Sequence, residues 1–350
     1  MATTVCLRTL RGPALTRPTI VDFRPYIHLD KARQLSTELP TPTRPNESIE
    51  VVEDGLNPPI STLPPPLTLP TRQPEQNTFS HLFALGKAYL GFYKAGFKSV
   101  FANRKLLNAK LAQLPPAERP SIILKPHHVP ATFSRADWIL LWRTKHDVAR
   151  LPIFGLTVLL FEELTPLIAY LAEGIMPYTC RLPSHSAKSR GKAVERRKLA
   201  LQELKWKNPD GIPTASVAQS HILRSLNLIS GLWDRVGLVP PGLWLLRGRT
   251  QMGFLEADDR LLRKAGKLKD LSEDELLLAC AERGIDVDVT AELAAGKNFH
   301  HDRRRLLNRW LELTDGKDTT ERRKRMAALL ALKPEDWPAT SDFPLPSWEI

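Results

Sequence analysis

Two adjacent carboxylates in an apolar stretch are the first residues of this sequence that could do chemistry. Glu162 and Glu163 lie near the centre of residues 151–175, where leucine and isoleucine dominate. Such a carboxyl group could carry a proton or a cation, or could hydrogen-bond across a contact between two helices. It could also be buried in a soluble bundle, and Glu173 could simply be hydrated at an interface. The residues alone leave these alternatives open.

The same stretch is long enough to cross a bilayer. At about 1.5 Å per residue, a helix over 151–175 exceeds the roughly 30 Å thickness of the hydrocarbon layer. Gly155, Glu162, Pro166 and Glu173 lie within about 40° of one direction on a helical wheel, so they form one polar stripe. The sequence therefore predicts a single transmembrane helix over about 151–175, with its polar stripe turned away from lipid.

A dense basic cluster follows this stretch, and Glu195 and Glu203 are its only acids. Its candidate contact residues are Lys188, Arg190, Lys192, Arg196, Arg197 and Lys198. Lysine and arginine along one helix suit the phosphates of RNA. They suit the anionic headgroups of lipids equally well. The sequence therefore predicts an anionic partner of one of these two kinds.

No arrangement of residues in this sequence is typical of an enzyme. Asp258 and Asp259 could act as an acid–base pair, but two carboxylates in the first turn of a helix more often complement its dipole. The adjacent histidine pairs at 127–128 and 300–301 lack the further ligands that a zinc site needs. No glycine-rich phosphate loop is present. We therefore expect no catalytic residues, no cofactor, no metal and no small-molecule substrate.

The 350 residues carry a formal charge of +12, which favours acidic partners. Residues 1–38 begin with a basic, hydroxyl-rich and acid-poor segment, which predicts a mitochondrial import sequence. Residues 39–76 are crowded with proline, which predicts a disordered linker. Three cysteines lie far apart and indicate neither a disulfide framework nor a zinc site.

The remaining chain is predicted to be all-α. Aromatic residues recur at helical spacing in an amphipathic basic helix over 79–113, whose aromatic face would pack against protein or lie on an anionic bilayer. Ser134 and Asp137 open a second helix, over 134–178, that runs into the membrane-length stretch. Further helices fill 181–332. Ser272 and Glu275 form a predicted capping box, and Gly284 closes the same helix.

Two segments resemble the leucine-zipper, EF-hand-containing transmembrane (LETM) family. Arg143, Thr144, Asp147, Arg150 and Pro152 lead into the glutamate-bearing stretch as they do in that family. The segment "EADDRLLRKAGKLKDLSEDELLLACAERGI" is similar to the family's ribosome-binding domain. Its matching structural residues include Asp258, Asp259, Ser272, Glu275, Arg283 and Gly284. The chain would be a short form, because the EF-hand and the coiled coil of full-length members are missing.

The resemblance implies a mitochondrial inner-membrane protein with one span and a 14-3-3-like ribosome-binding domain at 181–332, followed by a tail at 333–350. The excess of basic residues after the span predicts that this domain faces the matrix. The implied function is to bind mitochondrial ribosomes and to link translation to membrane insertion and mitochondrial homeostasis. Implied partners are the ribosome, inner-membrane lipids, and the insertion machinery or a second copy. The implied alternative is a component of K+/H+ or Ca2+/H+ exchange, with Glu162 as the proton carrier.

Overall fold

Amphipathic helical segments with capping residues at their starts build this fold. A computed structural model describes residues 55–72, 77–120, 129–161, 176–207, 214–236, 239–266, 268–286 and 300–347. All of them belong to one compact unit, Glu53–Ile350. Within these ranges the chain forms α-helices joined by short 3-10 turns and contains no β-strand. The predicted all-α class is confirmed for the described part of the chain, while the likeness to the 14-3-3 fold stays a prediction.

We number the helices of the described ranges in chain order. They are α1 (Thr78–Ala112), α2 (Arg135–Phe161), α3 (Pro183–Lys207), α4 (Ala215–Ser225), α5 (Gly231–Val236), α6 (Arg249–Ala265), α7 (Glu273–Glu282), α8 (His300–Leu313) and α9 (Thr319–Leu330). A π-helical turn, Trp244–Gly248, leads directly into α6.

Helices α1 and α2 form an antiparallel pair. The side chain of Asn77 caps α1 by accepting the Phe79 amide. The predicted cap of α2 is confirmed, because Ser134 and Asp137 exchange side-chain and backbone hydrogen bonds. Lys110 reaches Asp137 at 2.8 Å near one end of the pair. At the other end the rings of Phe97 and Phe154 lie 5.2 Å apart.

The core of the described unit surrounds α6. Met252, Phe254 and Leu255 of this helix are buried, and its phenylalanine ring stacks on Trp142 of α2 at 4.4 Å. Trp310 of α8 is fully buried in the same hydrophobic cluster. Helix α6 packs against α2 and α9 and is hydrogen-bonded to α8 through Trp310, so polar residues along it are buried as well as apolar ones.

The prediction of a loose linker is wrong for residues 55–72. Leu56 and Thr62 of this segment are buried. Asn57 donates to the Asp270 carbonyl and accepts the Ser272 amide, both at 2.9 Å. Proline content indicated a disordered chain, but a few residues with specific partners hold this part against the folded body. The rest of the predicted linker, 39–54 and 73–76, and the predicted import sequence lie outside the described residues.

The tail is also part of the body up to residue 347. The rings of Trp337 and Trp310 lie 5.7 Å apart, and the Trp337 indole N–H donates to the Leu329 carbonyl. Arg325 holds the Ser341 carbonyl at 2.6 Å and lies over the ring of Phe343. These contacts pack the tail against α8 and α9.

The membrane-length stretch is only partly described. Helix α2 is described as far as Phe161, and residues 162–175 lie outside the described ranges, so Glu162, Pro166 and Glu173 do as well. In the part of the chain that the structure describes, no helix combines the length and the apolar character needed to cross a bilayer. The predicted single span stays a prediction.

The residues on the two sides of this gap lie next to each other. The Tyr178 amide donates to the Asp147 carboxylate at 2.5 Å, and Met176 shares a small buried cluster with Phe154. The predicted helix over 134–178 is therefore wrong at its carboxyl end, since Tyr178–Cys180 is a separate 3-10 turn packed beside α1 and α2.

The boundary predictions around α7 are confirmed in part. The Ser272 side chain accepts the Glu275 amide at 3.4 Å, and Gly284 has the left-handed backbone (φ +74°) expected after a helix end. The second half of the capping box is wrong. Glu275 turns inward to Arg143 at 2.6 Å instead of reaching back, and Asn57 takes the Ser272 amide in its place.

Two glycines within α1 test the close packing of this helix. A Cβ atom at Gly96 would lie 2.8 Å from the Thr179 carbonyl oxygen and 3.0 Å from the Cys180 Sγ, whereas one at Gly91 would meet nothing within 4 Å. We expect Gly96→Ala to lower the free energy of unfolding by about 1 to 3 kcal/mol because of overpacking. Gly91→Ala, the control, should leave it unchanged or raise it by up to about 1 kcal/mol. Urea unfolding measures both, and equal midpoints for the two variants would contradict the packing of 178–180 on α1.

Candidate functional site

Asp258 and Asp259 lie in the middle of α6 and not in its first turn. Helix α6 begins at Arg249, as a continuation of the π-helical turn before it. A glycine such as Gly248 commonly interrupts a helix, but here it is helical and packs against Trp244. The Trp244 ring would lie 2.2 Å from a Cβ atom at position 248. The predicted dipole role of the two aspartates is therefore wrong. Both are fully buried in the body.

One guanidinium joins the two aspartates. Arg283, at the end of α7, donates from Nη2 to the Asp258 carboxylate at 2.6 Å and from Nε to the Asp259 carboxylate at 2.8 Å. Its Nη1 donates to the Ala279 carbonyl. The Trp310 indole N–H donates to the second oxygen of Asp259 at 2.9 Å. The two carboxylates are thus occupied by donors from α7 and α8.

Two more arginines extend this arrangement to α2. Arg135 donates to the Asp258 carboxylate at 2.9 Å and to the Leu56 carbonyl at 3.0 Å. Arg143, two turns further along α2, binds both carboxylate oxygens of Glu275, at 2.6 and 3.1 Å. It also donates to the Thr62 hydroxyl. We call Arg135, Arg143, Arg283, Asp258, Asp259 and Glu275 the ion-pair network.

The network is balanced in charge, with three guanidinium groups and three carboxylates. Burial alone would raise the pKa of Asp258, but the attraction of Arg135 and Arg283 outweighs it and holds this pKa below its usual value. The neighbouring Glu282 has no such surplus of positive charge. Burial, with the repulsion of Asp258 and Glu275, outweighs Arg143 and Arg283 and raises the pKa of Glu282 to about 7. Glu282 is therefore the titrating group beside the network near neutral pH.

This geometry supports a structural role for the network over an acid–base role. A general acid or base needs an oxygen that can reach a substrate, whereas these carboxylates receive hydrogen bonds from arginine and tryptophan inside the core. The network links the 55–72 segment, α2, α6, α7 and α8. It includes four residues of the segment that resembles the LETM ribosome-binding domain.

Sequence reasoning missed Arg135 and the pairing of Arg143, because an arginine near the start of a helix looks like a solvent-exposed residue. The signal available in the sequence was the position of three acidic residues, Asp258, Asp259 and Glu275, on otherwise apolar helix faces. Acidic side chains that are buried there need cationic partners.

The predicted basic cluster on α3 is divided by the structure into two faces. Arg197 is buried, with its guanidinium 2.5 Å from Asp286 and 3.1 Å from the Ser225 carbonyl. Arg196 pairs with Asp234 at 3.1 Å and donates to the Ile229 carbonyl. Arg190 is half-buried, and burial lowers its pKa. Arg196 and Arg197 hold α3 against its neighbours and Arg190 is only partly accessible, so the prediction that these three arginines form the contact surface is revised.

Four lysines of α3 remain on the solvent side. Lys188, Lys192, Lys198 and Lys205 are exposed, and we call them the lysine face. Their spacing places all four within about 140° of the helix circumference, while Arg190 and Arg197 fall outside that arc. Lys205 lies 3.9 Å from Asp336, with both side chains at least half exposed. Helical periodicity alone could have separated the lysines from the arginines in the sequence.

The predicted polar stripe is described only at Gly155. This glycine is exposed, and a Cβ atom there would meet nothing within 4 Å. It therefore does not mediate a close approach of two helices within the described residues. No described observation bears on Glu162, so none favours the ion-exchange alternative.

Among the described residues, no group of three or more histidine, cysteine or acidic side chains could hold a metal ion. Cys180 and Cys280 are both buried, and burial raises the pKa of each thiol to about 12. Such thiols remain protonated at neutral pH and are poor nucleophiles.

Comparison with known families places a similarity at the amino-terminal helices. Residues 76–230, less than half of the chain, match the family model described as PNT1: Pentamidine resistance factor domain. The match spans α1 to α4 and so includes the lysine face. It gives no support to the LETM resemblance, whose most distinctive residues lie beyond it. No curated protein and no solved structure matches the chain.

Removing one carboxylate from the network should be costly. In Asp258→Asn the guanidinium groups of Arg135 and Arg283 lose a buried counter-charge, and we expect a loss of about 3 to 5 kcal/mol in the free energy of unfolding. The control is Asp302→Asn, since Asp302 pairs with Arg305 at 3.4 Å on the surface. It should cost at most about 1 kcal/mol. Similar urea midpoints for the two variants would show that the network is not central to stability.

The raised pKa of Glu282 predicts a pH-dependent stability. Between the ordinary value of 4.5 and the folded value of about 7, the folded chain binds more protons at this site than the unfolded chain. Stability from this residue is therefore lost as pH rises through that window. Glu282→Gln should flatten the decline of Tm between pH 5 and pH 8, and the exposed Glu118→Gln should not. Parallel Tm curves for wild type and Glu282→Gln would contradict the assignment.

Proposed function

We propose that this protein is a mitochondrial inner-membrane protein that binds the mitochondrial ribosome on the matrix side and links translation to membrane insertion. The observation that carries the proposal is the lysine face of α3, four exposed lysines on one side of a helix that is fixed to the body by its arginines. Because the arginines hold the helix, the lysines are presented on a rigid surface. Ribosomal RNA is the anionic partner that such a surface fits.

Further support comes from the amino-terminal sequence, the net charge and the LETM resemblance. The acid-poor amino-terminal sequence favours import into mitochondria, and the net charge of +12 favours an acidic partner. The LETM resemblance of residues 256–285 suggests the ribosome as the specific partner, although the charged residues Asp258, Asp259, Glu275 and Arg283 of this segment are buried in the body and not at its surface. The contact itself then depends on phosphate recognition, without a base-reading motif.

Salt-dependent co-sedimentation with purified mitochondrial ribosomes tests this function. We expect the wild-type chain to sediment with ribosomes at low salt and to be released as salt rises. The triple variant Lys188→Glu, Lys192→Glu and Lys198→Glu should bind at least about tenfold more weakly and show a flatter salt dependence, since each lost phosphate contact reduces the slope by somewhat less than one.

The matched control is Lys264→Glu, Lys269→Glu and Lys333→Glu, which changes the net charge equally at exposed lysines elsewhere. This control should retain most of the binding. Equal losses in the two triple variants would remove the lysine face from the proposal. Failure of the wild-type chain to sediment with ribosomes at low salt would defeat the function itself.

A further inference from the structure

Helix α1 carries a row of large apolar side chains on its solvent side. Phe79, Phe83, Leu90 and Phe101 are 57 to 78% exposed. They are spaced by four, seven and eleven residues, so they lie on one narrow side of the helix over about 33 Å. We call them the α1 apolar stripe. It is separate from the buried side of the helix, where Phe92, Val100 and Leu107 pack into the body.

A row of lysines runs beside this stripe. Lys87, Lys94, Lys98 and Lys105 are all exposed and occupy neighbouring positions on the helical wheel. We call them the α1 lysine row. None of the 35 residues of α1 is acidic. The helix therefore presents positive charge along one edge of its apolar stripe, with no carboxylate of its own to neutralise it.

The stripe begins in a part of α1 that the folded body does not bury. From Thr78 to Gly91 no residue of α1 is buried. Since α2 runs antiparallel, its carboxyl-terminal half lies at the same end, and there Ile153, Leu156 and Leu160 are 55 to 64% exposed. One end of the body thus gathers exposed apolar side chains from two helices.

We propose that the α1 apolar stripe lies on the surface of an anionic lipid bilayer, with the helix axis parallel to the membrane and the α1 lysine row at the headgroups. A lipid surface fits the stripe because it is long, straight and apolar, and because its lysines need an extended array of negative charge. A second copy of the chain fits poorly, since docking through this face would bring together two helices that carry only positive charge. The inference rests on the membrane association in the proposed function, but it does not require ribosome binding.

Sedimentation of the full-length chain with sucrose-loaded vesicles tests the inference. Vesicles of phosphatidylcholine mixed with phosphatidylglycerol should bind the chain, and vesicles of phosphatidylcholine alone should bind it far less. Changing Lys87, Lys94 and Lys98 to Glu should weaken binding about a hundredfold, because each lysine near an anionic surface contributes about fivefold. The matched control changes Lys264, Lys269 and Lys333 to Glu and should bind nearly as wild type does.

The apolar contribution has its own pair of variants. Changing Phe79, Phe83 and Leu90 to Ser should weaken vesicle binding at least about tenfold. The control changes Leu199, Leu245 and Leu246 to Ser, three leucines that are 60 to 68% exposed outside the stripe. The stripe side chains are exposed, so circular dichroism and Tm should remain as in wild type and should confirm that a loss of binding is not unfolding.

Several outcomes would overturn the inference. These are equal binding to the two kinds of vesicle, no binding of wild type to either, or equal losses in the stripe variant and its control. A wild-type dimer that the stripe variant converts to a monomer would instead assign the stripe to a second copy. The proposed function is judged separately, because the stripe variant should still sediment with ribosomes. If the chain bound vesicles but did not bind ribosomes, the inference about the lipid surface would stand and only the proposed ribosomal role would be wrong.

Discussion

The contact of Arg283 with Asp258 and Asp259 is the interaction on which the described fold depends. The Arg283 guanidinium and the two aspartate side chains lie almost completely inside the core, where an unpaired charge would be very costly. Each must therefore keep its partners, and the partners come from different helices. Arg135 brings α2 to Asp258, and Trp310 brings α8 to Asp259. The network fixes how these helices meet α6, because moving any one of them would leave a charge or a donor without its partner.

The same constraint explains why the segment before α1 is part of the body. Arg135 and Arg143 have donors left over after they have bound carboxylates, and these donors are satisfied by the Leu56 carbonyl and the Thr62 hydroxyl. A proline-rich segment has few backbone N–H groups to satisfy and can therefore run along the body with little secondary structure, here one 3-10 turn at Ile60–Thr62. The result is a strap of chain held by polar contacts at a few positions.

Positively charged side chains have two roles in this protein, internal pairing by arginine and surface exposure by lysine. The arginines of α3 are turned inward, where a planar guanidinium can bind a carboxylate and a carbonyl at once. The lysine face of α3 and the α1 lysine row stay in solvent, where a compact ammonium group on a long stem can meet phosphates of varied geometry. The net positive charge of the chain is therefore larger than the positive charge that a partner can contact, because several arginines are already paired with acidic side chains in the interior.

Spacing and the conformational preferences of a few residues were enough to predict the helical class, the amphipathic α1, the caps at Ser134 and Ser272 and the left-handed Gly284. The sequence did not determine that α6 begins at Arg249 as a continuation of the π-helical turn, since Gly248 there serves close packing on Trp244 and not a turn. Nor did it show that residues 55–72 and 333–347 belong to the body. Which charges are internal depends on tertiary packing, because whether Arg197 faces solvent or Asp286 is set by a residue 89 positions away in the chain. A helical wheel separates the faces of one helix, but it does not say which neighbour covers each face.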